Sequence, residues 1–202
     1  MKKNLVRACA LAAGVFVLGS VATAAIADDQ QDGGDVTVNV AIPQVETPGV
    51  LALSVAGTSA TLAEDGSTAL VRQFTGTLPA VTVTDTRTAE QIPDGASWYV
   101  LGTATDFVGT DGQDAISADH LGWSPVLVDG GETGLVAEGD PADTVLDGGA
   151  GLVDQELLVS TAASDEVASE GSWTASAGLT LQTPADVAPG DYSSTITLSL
   201  FE

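Results

Sequence analysis

Tyr192-Ser193-Ser194-Thr195-Ile196-Thr197-Leu198-Ser199-Leu200 is the stretch that decides the fold class. Tyr192, Ser194, Ile196, Leu198 and Leu200 fall on one side of a period-two pattern. Ser193, Thr195, Thr197 and Ser199 fall on the other. In a strand, successive side chains point to opposite faces, so this segment has one apolar and one hydroxyl-rich face. That suits a sheet with one side packed and one side wet.

Reading outward from the C-terminus, the same grammar returns. Trp173, Ala175, Ala177, Leu179 and Leu181 alternate over a longer run. Trp98 to Thr105 is rich in β-formers and closes at Asp106-Phe107, and Val81 and Val83 alternate with Thr82 and Thr84. Leu51, Leu53 and Val55 form another run, ended by Gly57. The first run is Val36, Val38, Val40 and Ile42, with Thr37 and Asn39 opposite, followed by Pro43, Pro48 and Gly49. Glu156 to Ala163 serves a buried strand as well as a short helix. Short strands parted by Gly, Pro and Asp turns predict an all-β protein, sandwich or barrel. About eight to ten strands favour a β-sandwich, Ig-like or related. Between Asp106 and Gly151 the turn dipeptides crowd: Asp111-Gly112, Asp129-Gly130-Gly131, Asp140-Pro141 and Asp147-Gly148-Gly149. This reads as long acidic Gly/Asp-rich loops or hairpins grafted on the sandwich, a usual place for binding.

The N-terminus carries a different pattern. Lys2, Lys3 and Arg7 precede an apolar stretch from Ala8 to about Val21, which closes at Ala25-Ile26-Ala27. Residues 1–27 therefore read as an export signal, too short for a membrane anchor. Cys9 sits before most of the apolar run, the wrong place for a lipobox. Residues 28–35 read as a flexible acidic leader and 36–202 as the domain. Cleavage after Ala27 removes the single Cys and leaves Arg72 and Arg87 against 28 acidic residues, a formal −26 with no Lys. No disulfide is then available, so stability rests on burial and sheet hydrogen bonds. Such a surface repels nucleic acid and anionic lipid, and no membrane span follows the signal. An extracellular protein of the wall or cell surface is expected.

Chemistry is sparse. His120 is the only histidine, and its neighbour Asp119 would point to the opposite face of a strand. There is no G-x-S-x-G elbow. With 28 acids, a carboxylate pair arises by chance and identifies no glycosidase. An enzyme is not expected. One His and no remaining Cys supply no zinc site. Asp106, Asp111, Asp114 and Asp119, with Gly109 and Gly112 among them, form a candidate calcium loop. The same residues are turn formers that bond their own backbone. Trp98, Trp123 and Trp173 are the remaining candidates. A scarce Trp anchors a core. Trp123, bracketed by Gly122 and Pro125, is also a candidate ligand-facing ring, and Trp98 the second.

Several segments together resemble a known family. Leu78-Pro79-Ala80-Val81-Thr82-Val83-Thr84-Asp85-Thr86-Arg87 leads to Ser97-Trp98-Tyr99-Val100 and Asp106-Phe107. Leu121-Gly122-Trp123-Ser124-Pro125 follows, then Ala188-Pro189-Gly190-Asp191-Tyr192-Ser193-Ser194-Thr195-Ile196-Thr197-Leu198. From about Val36 to the end the chain resembles the WxL-type surface domains of Gram-positive bacteria, especially secreted actinobacterial forms. In the W-x-L positions, Val100 replaces Leu after Trp98, and Leu198 replaces Trp before Leu200. The resemblance implies an exported surface protein that binds peptidoglycan or another envelope component without covalent attachment. The alternative is a structural or assembly protein that pairs with other secreted surface proteins. A groove lined by Trp98 or Trp123 would favour the first, an exposed uncharged edge strand the second, and a carboxylate pair in a deep cleft an enzyme.

Overall fold

The computed structural model describes residues 40–42 and 47–202. The expected export signal and leader, and the first residues of the Val36–Ile42 run, lie outside them. Val40, Ala41 and Ile42 are exposed and carry no strand pairing.

Twelve strand segments occur among the described residues. The first six are β1 (Leu51–Val55), β2 (Ala63–Glu64), β3 (Val71–Thr77), β4 (Val81–Asp85), β5 (Trp98–Ala104) and β6 (Val108–Gly109). The others are β7 (Leu121–Asp129), β8 (Val136–Glu138), β9 (Glu156–Thr161), β10 (Ser172–Pro184), β11 (Tyr192–Ser193) and β12 (Ile196–Phe201). Helix is confined to one short turn, Ser164–Val167, and to 3-10 turns. The fold is all-β and sandwich-like, as the alternation predicts.

The long strand β10 organises the first sheet. Its alternating Trp173, Ala175, Ala177, Leu179 and Leu181 are all buried. On one edge it pairs antiparallel with β7. On the other it pairs with β3 and β4, which lie end to end. Thr77 faces Gly178 and Val81 faces Ala175, so Leu78, Pro79 and Ala80 span the length of Ser176 and Ala177. This is a one-residue bulge, and proline belongs there because it cannot donate to a ladder. The Leu78 N–H donates to the Ala177 carbonyl at 2.8 Å, and the Ser176 hydroxyl donates to the Leu78 carbonyl at 2.6 Å. Before the bulge the strand's outer neighbour is β2, and after it β1.

The second sheet is antiparallel in the order β12-β5-β9-β8. The core sits between the sheets, with Trp98, Val100, Leu158 and Val159 from one and Val81, Val83, Leu121, Trp123 and Trp173 from the other. Burying each such aliphatic side chain contributes about 1.5–3 kcal/mol, the main source of stability in a body without a disulfide.

The Asp106–Gly151 region is mostly loop, but one strand of the core sheet runs through it: β7, nine residues paired with β10. Gly122 and Pro125 disguise it as a loop. Trp123 bonds its backbone away from β10, to Ala142, and Pro125 shares that parity. The missing proline N–H therefore costs the β10 ladder nothing. The ambiguous Glu156–Ala163 window resolves as the strand β9, ended by the short helix.

Candidate functional site

The tryptophans are interior. Trp98 and Trp173 meet across the two sheets with ring centroids 5.2 Å apart and planes tilted by 39°. The Trp173 indole N–H donates to Glu170 Oε2 at 2.7 Å. Trp98 is 0% and Trp123 1% exposed, which corrects the ligand-facing reading of both. The reason lies opposite Trp123, on β5. A Cβ at Gly102 would stand 2.4 Å from the Trp123 ring, so the absence of a side chain there makes the ring's berth.

The acidic candidates do not converge. Asp106 accepts from the Ala118 N–H at 2.9 Å and closes its own loop. Asp111 and Asp114 are exposed, and Asp119 sits half-buried in a 3-10 turn. No group of three or more carboxylate, His or Cys side chains able to hold a metal occurs among the described residues. The four aspartates of the expected calcium loop are thus not brought together, with Asp106 bonded back to its own loop. His120 Nδ1 lies 2.6 Å from the Gln182 carbonyl. A carbonyl only accepts, so Nδ1 carries the proton and the ring is tied to backbone.

The concave surface lies elsewhere. A cleft of ≈ 380 Å³ opens between the edges of the two sheets. Leu53 and Val55 of β1 form one wall, Ile196 and Leu198 of β12 the other, and Leu78 and Phe107 lie in the lining. No titratable side chain lines it. Both strands beside it are sheet edges. β1 pairs only with β4 and β12 only with β5. The Thr195 carbonyl accepts from Thr105 on the β5 side, so Ile196, Leu198 and Leu200 turn their backbone groups outward. Thr86 N–H donates to the Val50 carbonyl, which by the same alternation turns Leu51, Leu53 and Val55 outward on β1. Neither strand contains a charged residue.

The far ends of β1 and β12 are tied together. Leu51 faces Asp85, and Arg87 forks the Asp85 carboxylate with Nε at 2.9 Å and Nη2 at 2.7 Å while Nη1 reaches Glu202 at 2.5 Å. The Asp85 side chain is fully enclosed. Hydrogen bonding to Asp85 first, and then to Glu202, holds the Arg87 guanidinium above its ordinary range despite desolvation. The clamp closes one end of the pair of edges and leaves the cleft at the other. No local pattern in the sequence links Arg87 to Glu202, 115 positions away.

A second, larger cleft of ≈ 790 Å³ adjoins the first across Thr58–Leu62. Phe74, Pro189, Tyr192 and Arg72 line it. Arg72 is engaged already, with Glu64 at 3.0 Å and its guanidinium carbon 5.2 Å from the Phe74 ring centre. Neither cleft was anticipated from the sequence, although the Leu51–Val55 and Tyr192–Leu200 strands that border them were. The chain matches no protein-family model, no curated protein and no solved structure.

Proposed function

We propose that this chain is a secreted, non-catalytic surface protein that pairs with another polypeptide by strand addition at β12, beside the apolar cleft. The observation that carries this reading is the uncharged free edge. The whole chain has a formal charge of −23, yet β1 and β12 present outward backbone groups with no charge to guard them. Exposed edges are ordinarily blunted by charge, proline or a covering element. An edge left bare next to an apolar cleft suits an incoming strand, with main-chain bonds for affinity and pockets for alternate side chains. The cleft wall, without titratable groups, suits binding rather than acid–base chemistry.

The test is a Thr197→Cys variant carrying a photoreactive label, presented on producing cells. Thr197 is exposed on the solvent face of β12. Capture of a polypeptide supports the reading, and capture of wall material alone, or of nothing, overturns it.

A second reading, non-covalent binding of peptidoglycan, draws on the family resemblance and on the Phe74, Pro189 and Tyr192 lining of the larger cleft. Sedimentation with purified sacculi, with and without calcium, tests it. Binding that weakens in Tyr192→Ala supports it, and no sedimentation overturns it.

A further inference from the structure

We infer that the strand received at β12 is the segment Val36–Ile42 of a second copy of this chain. This rests on the strand-addition reading above and names its partner. Val36, Val38, Val40 and Ile42 alternate with Thr37, Asn39 and Ala41, giving one wholly apolar face and one mild outer face. That is the pattern a half-buried strand needs. The described part of it, Val40 to Ile42, has no strand pairing among the described residues, and Val40 and Ile42 are 80% and 86% exposed. A strand pattern and an edge with no strand on its outer side among the described residues thus occur in one sequence.

Length and charge match as well. At about 3.3 Å per residue, seven residues span about 23 Å and the six of β12 about 20 Å. From Val36 to Val45 there is no charged residue, in a chain of net −23. Two copies would repel across most of their surface, and the uncharged segment meeting the uncharged edge is where they need not. In register with β12, the Val and Ile face would share the side of Ile196 and Leu198 and enter the cleft they border. The partner's outward groups at Ile196 and Leu198, at the open end away from the Arg87 clamp, would close the ladder. Because each copy offers both a segment and an edge, the contact is heterologous and extends head to tail into a ring or a fibre.

The purified chain from Asp28 onward, carrying the label at Thr197→Cys, tests this directly. The expected product is a covalent adduct of two chains, with the captured peptide drawn from residues 36–42. Val38→Glu with Val40→Glu should reduce that adduct about tenfold or more, since each charge would have to enter an apolar cleft. The unfolding midpoint should not change, because among the described residues the buried core and the hydrophobics packed against it run from Leu51 to Leu200 and include neither valine. An adduct within a single chain would overturn the inference in favour of self-pairing. If the purified chain yields no adduct while producing cells yield a different polypeptide, the inference falls and the strand-addition reading stands. If neither preparation captures a polypeptide, both fall.

Discussion

At the residue scale, Gly102 is the position whose smallness decides most. The Trp123 ring occupies the space a β-carbon would need there, while a Cβ at Gly178 would meet nothing within 4 Å. Gly102→Ala should cost about 1–3 kcal/mol by overpacking, and Gly178→Ala should stay within about 0.5 kcal/mol, as surface changes do. Urea unfolding of the two variants makes the comparison, and equal effects would mean that the berth is not tight. Asp85 is the second such position. Arg87→Ala leaves a fully enclosed carboxylate without its partner. The expected loss is about 3–5 kcal/mol, in the range for breaking a buried pair. Arg87→Lys should recover only part of it, because an ammonium cannot reproduce the fork. The same denaturant series reads both.

At the element scale, the bulge at Leu78-Pro79-Ala80 keeps Val81 and Val83 facing inward after the strand changes its outer neighbour. Deleting Pro79 removes the extra residue and leaves a regular ladder that still sets Val81 opposite Ala175, with both valines inward. An alanine inserted between Thr82 and Val83 turns Val83 to the outer face instead. That insertion should lose cooperative thermal unfolding, whereas the Pro79 deletion and Pro79→Ala should keep it. A retained sharp transition in the insertion would show that β4 tolerates either register. Glu170 plays a similar part for the Asp129–Gly134 turn. Its carboxylate accepts from Trp173 Nε1 and from the Glu132 and Thr133 N–H groups. These bonds, led by the one from Trp173, hold its pKa below the ordinary 4.5. A group with a lowered folded pKa stabilises fully above its unfolded value and loses that contribution as pH falls through the folded one. Glu170→Gln should therefore be less stable than the native chain at neutral pH, and the gap should narrow from about pH 4.5 downward. A gap that does not change with pH would assign the effect to shape rather than charge. These elements also mark what the sequence could reveal. β1, β4, β5, β10 and β12 were legible because period two survives in each. β7 was not, because Gly122 and Pro125 look like turn residues until the parity of the neighbouring ladder is known. The burial of the candidate Trp rings and the separation of the candidate Asp side chains were not legible for a related reason. Residue type shows what a side chain is able to do, but whether it faces solvent or converges with others depends on positions such as Gly102 that carry no signal of their own. The cleft arises where two edges part, a relation between distant strands that no local pattern records.

At the scale of the whole molecule, charge is the dominant fact. Arg72 and Arg87 are the cations among the described residues apart from any protonated His120, and both are engaged in ion pairs. Most acids therefore repel one another without compensation, within a chain and between chains. Screening acts on this term and leaves apolar burial nearly unchanged. Raising ionic strength from 0.01 M to 0.15 M shortens the Debye length from about 30 Å to about 8 Å. The unfolding temperature should rise over that interval, because the compact state confines the acids most closely. Association of copies through an uncharged segment and an uncharged edge should strengthen over the same interval, because only the repulsion around the contact is screened. Sedimentation velocity at the two salt concentrations measures association, and a thermal scan measures stability. A contact held by opposite charges would move the other way and weaken with salt. Association that falls while the unfolding temperature rises would separate the two effects and rule out an uncharged interface between copies.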